Sequence, residues 1–390
     1  MWSGLQACRS GVGPVTRFDA SVFRSQIAAE VKGFDPNDFL DQKRVRRLDR
    51  FGQFTLASAR LAVQDSELDL KNENGERVGS MMGSALGGVG YAEEQFYVFQ
   101  TEGIRSVSTS LATNVFVGAA SCNIAIEFNA RGPNSTNGMS CASGTMAIGD
   151  GFRQIRDGYA DVMICGAAES PLNQLCFGAF AIIRAMSTRN TDPVHASRPF
   201  DRTRDGFVMG EGGAVLILEE YTRAKARGAH IYAEISGYAF GSDAHHMTAP
   251  RPDGSEAARV MRLALADAHI SPHEVEYVNA HGSSTPLNDP TETRAIKTVF
   301  GNHAPKLRVS GTKSYYGHAL GASGAIEAAI CALSLERGWL PPTLNLEDPD
   351  DGCDLDYLPG AGQPAEVDYM LSNSFGFGGI NAALVLKRAD

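Results

Sequence analysis

Apolar and polar positions alternate between two periods along this chain. Helical spacing of apolar residues in FTLASARLAVQDSEL (54–68) predicts an amphipathic helix. RVGSMMGSALGGVG (77–90) predicts a strand that breaks into a glycine loop, and ADVMICGAAES (160–170) a buried strand. GGAVLILEEYTRAKARG (212–228) predicts a strand feeding a charged helix, with a further strand in AHIYAEISGYAF (229–240). The order then repeats. A helix over 257–268 leads to the strand EVEYVNAHG (274–282). A helix over 291–300 leads to LRVSGTKSYYGHALGASGAIEAAICALSLERG (307–338), and the C-terminus (369–388) predicts strand, glycine turn, strand. Strands alternating with helices predict a layered α/β architecture. Two halves of similar order meeting near residue 230 predict an internal duplication, with domains at 1–228 and 229–390.

Composition narrows the classes. With 390 residues, 43% of them hydrophobic, the chain can hold two core-bearing halves. No run of 18 apolar residues is present, so no membrane helix is expected, and the first residues, MWSGLQACRSGVG, lack a secretory pattern. Seven scattered cysteines without a CxxC predict neither a zinc knuckle nor a disulfide framework, and point to a reducing, cytoplasmic setting. A net charge of −10 argues against nucleic acid. Against that acidity, DQKRVRRLDR (41–50) is basic. It reads either as a solvated helix face or as a docking patch for an acidic partner.

Candidate chemistry centres on NGMSCASGTMAIGDG (137–151). Cys141 follows a short extended segment and begins a helical run. A cysteine at a helix N-terminus is expected to favour its thiolate, and small neighbours let a substrate approach. A cysteine alone is more often a small buried packing residue. Ser140 is a rival nucleophile, although GMSCA departs from GxSxG. His281 stands just after an apolar strand, and Lys313 and His318 share one turn-rich segment. NSFGFGGIN (373–381) is a glycine turn whose amides suit an oxyanion. The glycine loop lacks a dinucleotide fingerprint, no phosphate-binding P-loop is present, and the adjacent His245 and His246 read as a loop rather than a metal site.

In their order, SCASG, GYADVMICGAAES, STRN, ASRPFDRTRDGFVMGEGG, YVNAHGSSTPLND, TKSYYGHALGASGAIE, PPTLNLEDPDDGCDLDY and NSFGFGGIN resemble the β-ketoacyl-[acyl-carrier-protein] synthases, specifically the elongating type II enzymes of fatty acid synthesis, over nearly the whole chain. The resemblance implies a thiolase-like five-layer α-β-α-β-α fold of two similar halves, and a homodimer. It implies decarboxylative condensation of an acyl-enzyme with malonyl-acyl carrier protein, without metal or organic cofactor. Cys141 would be the nucleophile, His281 and His318 the catalytic histidines, and Lys313 the supporting lysine. The amides of Cys141 and Phe377 would form the oxyanion hole, with Phe375 and Phe377 on a gating turn. Leu86 and Phe180 match acyl-pocket positions. Thr248, Ser283 and Thr285 match positions near the carrier's pantetheine arm. Lys43, Arg46, Arg47 and Arg184 match the basic surface that meets the carrier.

Three departures stand out. The family's first N-terminal strand has no counterpart here, so the fold is expected to lack it and to expose a sheet edge. NSTNGMSC is polar where the family has an apolar strand. Ser283 replaces a common threonine but keeps the hydroxyl. The alternatives are a ketosynthase of a dissociated polyketide system, and a non-condensing partner subunit of a ketosynthase heterodimer. The second lacks the cysteine, which Cys141 speaks against.

Overall fold

The computed structural model describes residues 1–389. Two twisted sheets carry the fold. In the first half, β1 (Val78–Gly83), β2 (Asn134–Asn137), β3 (Val162–Glu169) and β4 (Gly212–Glu219) lie in the order β2-β1-β3-β4. In the second, β5 (Glu234–Ser242), β6 (Tyr277–Asn279), β7 (Arg308–Ser310), β8 (Tyr369–Gly376) and β9 (Ile380–Lys387) lie in the order β5-β9-β8-β6-β7. β1 is parallel to β2 and β3, and β4 runs antiparallel to β3. The second half repeats this: β6 is parallel to β7 and β8, and β9 runs antiparallel to β8. β5 then adds antiparallel to β9, a position with no equivalent beside β4.

Helices complete five layers. α1 (Arg50–Asp65) and α2 (Ala119–Phe128) cover the outer face of the first sheet. α3 (Ser143–Arg156) and α7 (Ser323–Arg337) lie between the sheets and touch both. α5 (Ser255–Asp267) and α6 (Asn288–Phe300) cover the second sheet. α4 (Gln174–Ile182) lies outside this stack. The pattern-based reading finds most of these elements with shifted ends, but not α2 and α4. The helix predicted over 54–68 begins at Arg50, because the Asp49 carboxylate accepts from the Gly52 N–H at 2.9 Å and caps it there. The strand predicted from residue 229 begins at Glu234.

The largest core lies between the sheets. Met146 and Ile148 of α3 and Ile326 and Ile330 of α7 pack with Cys165 of β3 and Leu384 of β9. The two middle helices approach closely. A Cβ at Gly324 would fall 2.2 Å from Thr145 Oγ1, and one at Gly144 would fall 2.7 Å from the Ala325 nitrogen. Only glycine at both positions allows this crossing. It brings the N-termini of α3 and α7, one from each half, to the same place.

Candidate active site

Cys141 sits in the 3-10 turn Ser140–Ala142 that enters α3. Ser140 takes φ +49°, a left-handed conformation costly for a non-glycine residue, which turns the chain sharply from β2 into the helix. The turn Leu320–Ala322 enters α7 in the same way, with Leu320 at φ +43°. The Cys141 sulfur is faced by its own backbone N–H and by that of Phe377. The glycine turn reaches it because Gly376 has no Cβ: a carbon there would lie 3.1 Å from the Cys141 nitrogen.

The expected thiolate at the helix terminus is outweighed. Burial pushes the Cys141 thiol up to about 12, although the Lys313 charge and the Phe377 amide both act to lower it. Removing water from around the sulfur costs the anion more than one helix end and one distant ammonium return. At rest Cys141 is therefore a thiol.

Opposite the sulfur stand two imidazoles. The ring centroids of His281 and His318 lie 5.3 Å apart, nearly perpendicular. Burial first, and the charge of Lys313 second, hold both far below the ordinary histidine range, so both are neutral. His318 Nδ1 is 3.0 Å from Ser323 Oγ at the start of α7. His281 Nδ1 has no hydrogen-bond partner in the chain. Its backbone is tied down instead: Glu292 accepts from the N–H groups of His281 (2.8 Å) and Gly282 (2.9 Å) and from Asn373 Nδ2 (3.2 Å).

Lys313 lies beneath the histidines and is 1% exposed. Its ammonium donates to the His281 carbonyl at 2.7 Å and to the Glu327 carboxylate. Burial raises Glu327 to about 7 against the opposing pull of Lys313. Glu327 Oε2 and Asn373 Oδ1 are buried without a hydrogen-bond partner among the described residues. No cluster of three metal-ligating His, Cys, Asp or Glu side chains occurs among the described residues.

A cavity of about 330 Å³ opens onto these groups. Cys141, Phe180, Arg184, Thr248, His281, Ser283, Thr285, His318, Phe375 and Phe377 all line it. Phe377 stacks on Phe180 at 6.0 Å, and the Gly378 amide donates to the Met247 carbonyl, so the glycine turn, α4 and the loop bearing Thr248 close on one another. Ser283 and Thr285 share a hydrogen bond of 2.9 Å at one wall. Leu86 stands apart from the lining and packs in the apolar cluster with Cys141 and Phe180. Lys43, on the short helix Gln42–Val45, and Arg46 and Arg47, on the turn after it, lie exposed outside the cavity. Their neighbours are engaged internally, Arg44 with Glu127 and Arg50 with Glu211.

Glu169 escaped the sequence reading. It is fully buried at the end of β3 and accepts from Ser84 Oγ (2.9 Å) and from the amides of Ala85 (2.6 Å), Leu86 (3.1 Å) and Gly321 (3.1 Å). It thus ties the glycine loop after β1 to the turn before α7. Its only sequence signal is an acidic residue closing an otherwise apolar strand, GAAES. Glu292 and Glu327 were missed too: each sits within a helix, and its donors His281 and Gly282, or Lys313, stand on a preceding segment 10 to 14 residues away.

Comparison with known proteins follows the same lines. Residues 1–224 match the β-ketoacyl synthase N-terminal domain and residues 232–347 the C-terminal domain. A 3-oxoacyl-[acyl-carrier-protein] synthase 2 from Synechocystis sp. is 48% identical over 387 residues, covering 99% of this chain and 93% of that protein. One of the same name from Coxiella burnetii is 48% identical, covering 100% and 94%. Among solved structures, a ketosynthase in complex with its type II PKS acyl-carrier protein matches at a TM-score of 0.92 with 36% identity, covering 100% of this chain and 94% of that one. A β-ketoacyl synthase from Burkholderia phymatum matches at 0.92 with 35% identity, covering 100% and 95%.

Proposed function

Because this chain belongs to the β-ketoacyl synthase family, we propose that it catalyses the decarboxylative condensation of an acyl-enzyme thioester with malonyl-acyl carrier protein in fatty acid elongation. One observation carries the reading: a cysteine sulfur faced by two backbone amides shares a cavity with two neutral imidazoles.

The residues support a two-stage reaction. Cys141 Sγ attacks the carbonyl of an acyl thioester, the amides of Cys141 and Phe377 stabilise the oxyanion, and the carrier thiol leaves with the proton the cysteine gave up. Malonyl thioester then enters. Its carboxylate departs as carbon dioxide, and the thioester oxygen takes up the electron pair as an enolate. Neutral His281 and His318 suit this step as hydrogen-bond donors. A Ser323 hydroxyl that donates to His318 Nδ1 leaves the single ring proton of the neutral imidazole on Nε2. The enolate carbon attacks the acyl-Cys141 carbonyl, and the released thiolate is reprotonated. Lys313, whose ammonium donates to the His281 backbone and Glu327, acts by position and by keeping the imidazoles neutral.

The remaining roles extend this reading. Phe375 and Phe377 gate the cavity, Phe180 and Leu86 bound the acyl chain, and Thr248, Ser283 and Thr285 receive the pantetheine arm. Lys43, Arg46, Arg47 and Arg184 meet the acidic carrier. The enzyme works in the cytoplasm as a homodimer, and no helix among the described residues is long and apolar enough to cross a membrane. The halves at 1–228 and 229–390 supply the nucleophile and the His–Lys group respectively. Fatty acid elongation is favoured over a polyketide pathway because the relatives named for it are 48% identical, against 36% for the polyketide ketosynthase.

The test is mass spectrometry of carrier-bound products after the purified protein meets malonyl-carrier and a ladder of acyl-carriers. A 3-oxoacyl product one acetate unit longer than its primer is expected. Absence of any lengthened product from every primer overturns the reading.

A further inference from the structure

Glu169 is fully buried at the end of β3, and its donors come from both halves of the chain. Oε1 accepts from Ser84 Oγ at 2.9 Å and from the Leu86 amide at 3.1 Å. Oε2 accepts from the Ala85 amide at 2.6 Å and from the Gly321 amide at 3.1 Å. Ser84 Oγ in turn accepts from the Gly87 amide at 2.9 Å, so the turn 84–87 folds around this one group. The second half can approach because residue 321 is glycine. A Cβ there would lie 2.5 Å from the Ala85 nitrogen and 2.7 Å from Glu169 Oε2. Leu320, just before it, packs in one apolar cluster with Leu86, Phe180 and Cys141. Leu86 and Leu320 therefore stand beside the nucleophile on two backbones that a single carboxylate holds together.

We propose that Glu169 is a positioning residue for acyl-chain selection: by holding the turn 84–87 against the turn Leu320–Ala322, it fixes how far Leu86 closes the apolar space beside Cys141. The proposal rests on the reading of Leu86 and Phe180 as bounds of the acyl chain. Among the described residues Glu169 bonds only to the two turns, and to none of Cys141, His281 and His318, so it acts through Leu86. Only a carboxylate suits the place. Both of its oxygens accept, and each takes two donors here, whereas an amide keeps one accepting oxygen and turns its N–H groups towards donors. In an apolar pocket one methylene changes discrimination by about tenfold or more. A small displacement of Leu86 is therefore read out as a change in preferred primer length. Released from the carboxylate, Leu86 withdraws and the space beside Cys141 deepens.

The test compares Glu169→Gln with the unaltered full chain on a ladder of acyl-carriers of increasing length. Acylation of Cys141 is followed by mass spectrometry of the intact protein, and kcat/KM is measured for each primer with malonyl-carrier. The ratio of kcat/KM for the longest primer the unaltered protein accepts to that for the shortest is expected to rise by about tenfold or more. Ser84→Ala removes one donor and leaves the carboxylate in place. It is expected to move the ratio the same way by less, and it decides the matter where Glu169→Gln does not fold. An equal fall for every primer overturns the inference, because a carboxylate that only supports the fold weakens all lengths alike. A shift towards shorter primers overturns it too, as does an unchanged profile in both variants. Failure of the underlying reading shows differently: the unaltered protein then forms no acyl-Cys141 from any primer.

Discussion

The Lys313 ammonium touches the main-chain oxygen of His281, at 2.7 Å, and not its ring. The lysine therefore sets the backbone on which the imidazole stands, and its charge pushes both His281 and His318 towards neutrality. Its counter-ion Glu327 is equally buried, so neither partner can be removed alone without cost. Lys313→Met strands a buried carboxylate and is expected to lose about 3–5 kcal/mol in denaturant titration. In the double variant Lys313→Met/Glu327→Met the loss shrinks, and the ring signals of His281 and His318 in NMR titration move towards a higher pKa. Unmoved rings would show that the lysine acts on the backbone alone.

The thiol of Cys141 is pushed up to about 12 by burial. Its alkylation by iodoacetamide is expected to quicken steadily with pH to at least 9, without a plateau near neutrality, because only the thiolate reacts. Cys141→Ala is expected to abolish condensation while malonyl-carrier still loses carbon dioxide. That residual decarboxylation needs neutral imidazoles and is expected to hold level as pH falls through 6.5. A fall with its midpoint at or above 6.5 would contradict the histidines' buried, neutral state.

Glu169 is raised by burial to about 7, from an ordinary value of 4.5. Between those values the folded state binds more protons than the unfolded one, so this group's contribution to stability falls as pH rises. Over that window it amounts to roughly 3 kcal/mol at most. Glu169→Gln removes this component, so the slope of stability against pH between 4.5 and 7 flattens. The variant also points an amide N–H group at neighbouring donors, with an expected loss of about 1–3 kcal/mol. Urea titrations across that pH range read both effects.

Gly324→Ala places a methyl 2.2 Å from Thr145 Oγ1 and 2.7 Å from the Thr145 nitrogen. Backbone on the far side cannot yield, so α3 and α7 must separate. A loss of about 1–3 kcal/mol is expected, with condensation falling further than stability because the two helix starts carry Cys141 and the His318 turn. Thermal melts and product formation measured side by side test the pairing.

Arg46→Glu with Arg47→Glu reverses charge on an exposed turn whose other arginines are engaged internally. Carrier affinity is expected to fall by about tenfold or more at low salt and the gap to narrow as salt rises. The melting temperature stays put. Equal carrier affinity in a titration would remove this face from docking.

The sequence alone determined the alternation of strand and helix, the repetition of the two halves, and the candidate residues for chemistry. Periodicity and turn residues are local, and Cys141, His281, Lys313 and His318 each stand in a short segment whose composition marks it. The tertiary structure decided what those residues are. The sulfur's two amides come from residues 236 positions apart in the chain, 141 and 377, and the turn between β8 and β9 reaches the sulfur only because Gly376 has no Cβ. The helix-end argument pointed to a thiolate, and burial by distant segments reversed it. Glu169, Glu292 and Glu327 were invisible because a buried carboxylate is defined by the donors around it, and those come from separate segments, 84 residues away for Glu169 and 11 and 14 for Glu292 and Glu327.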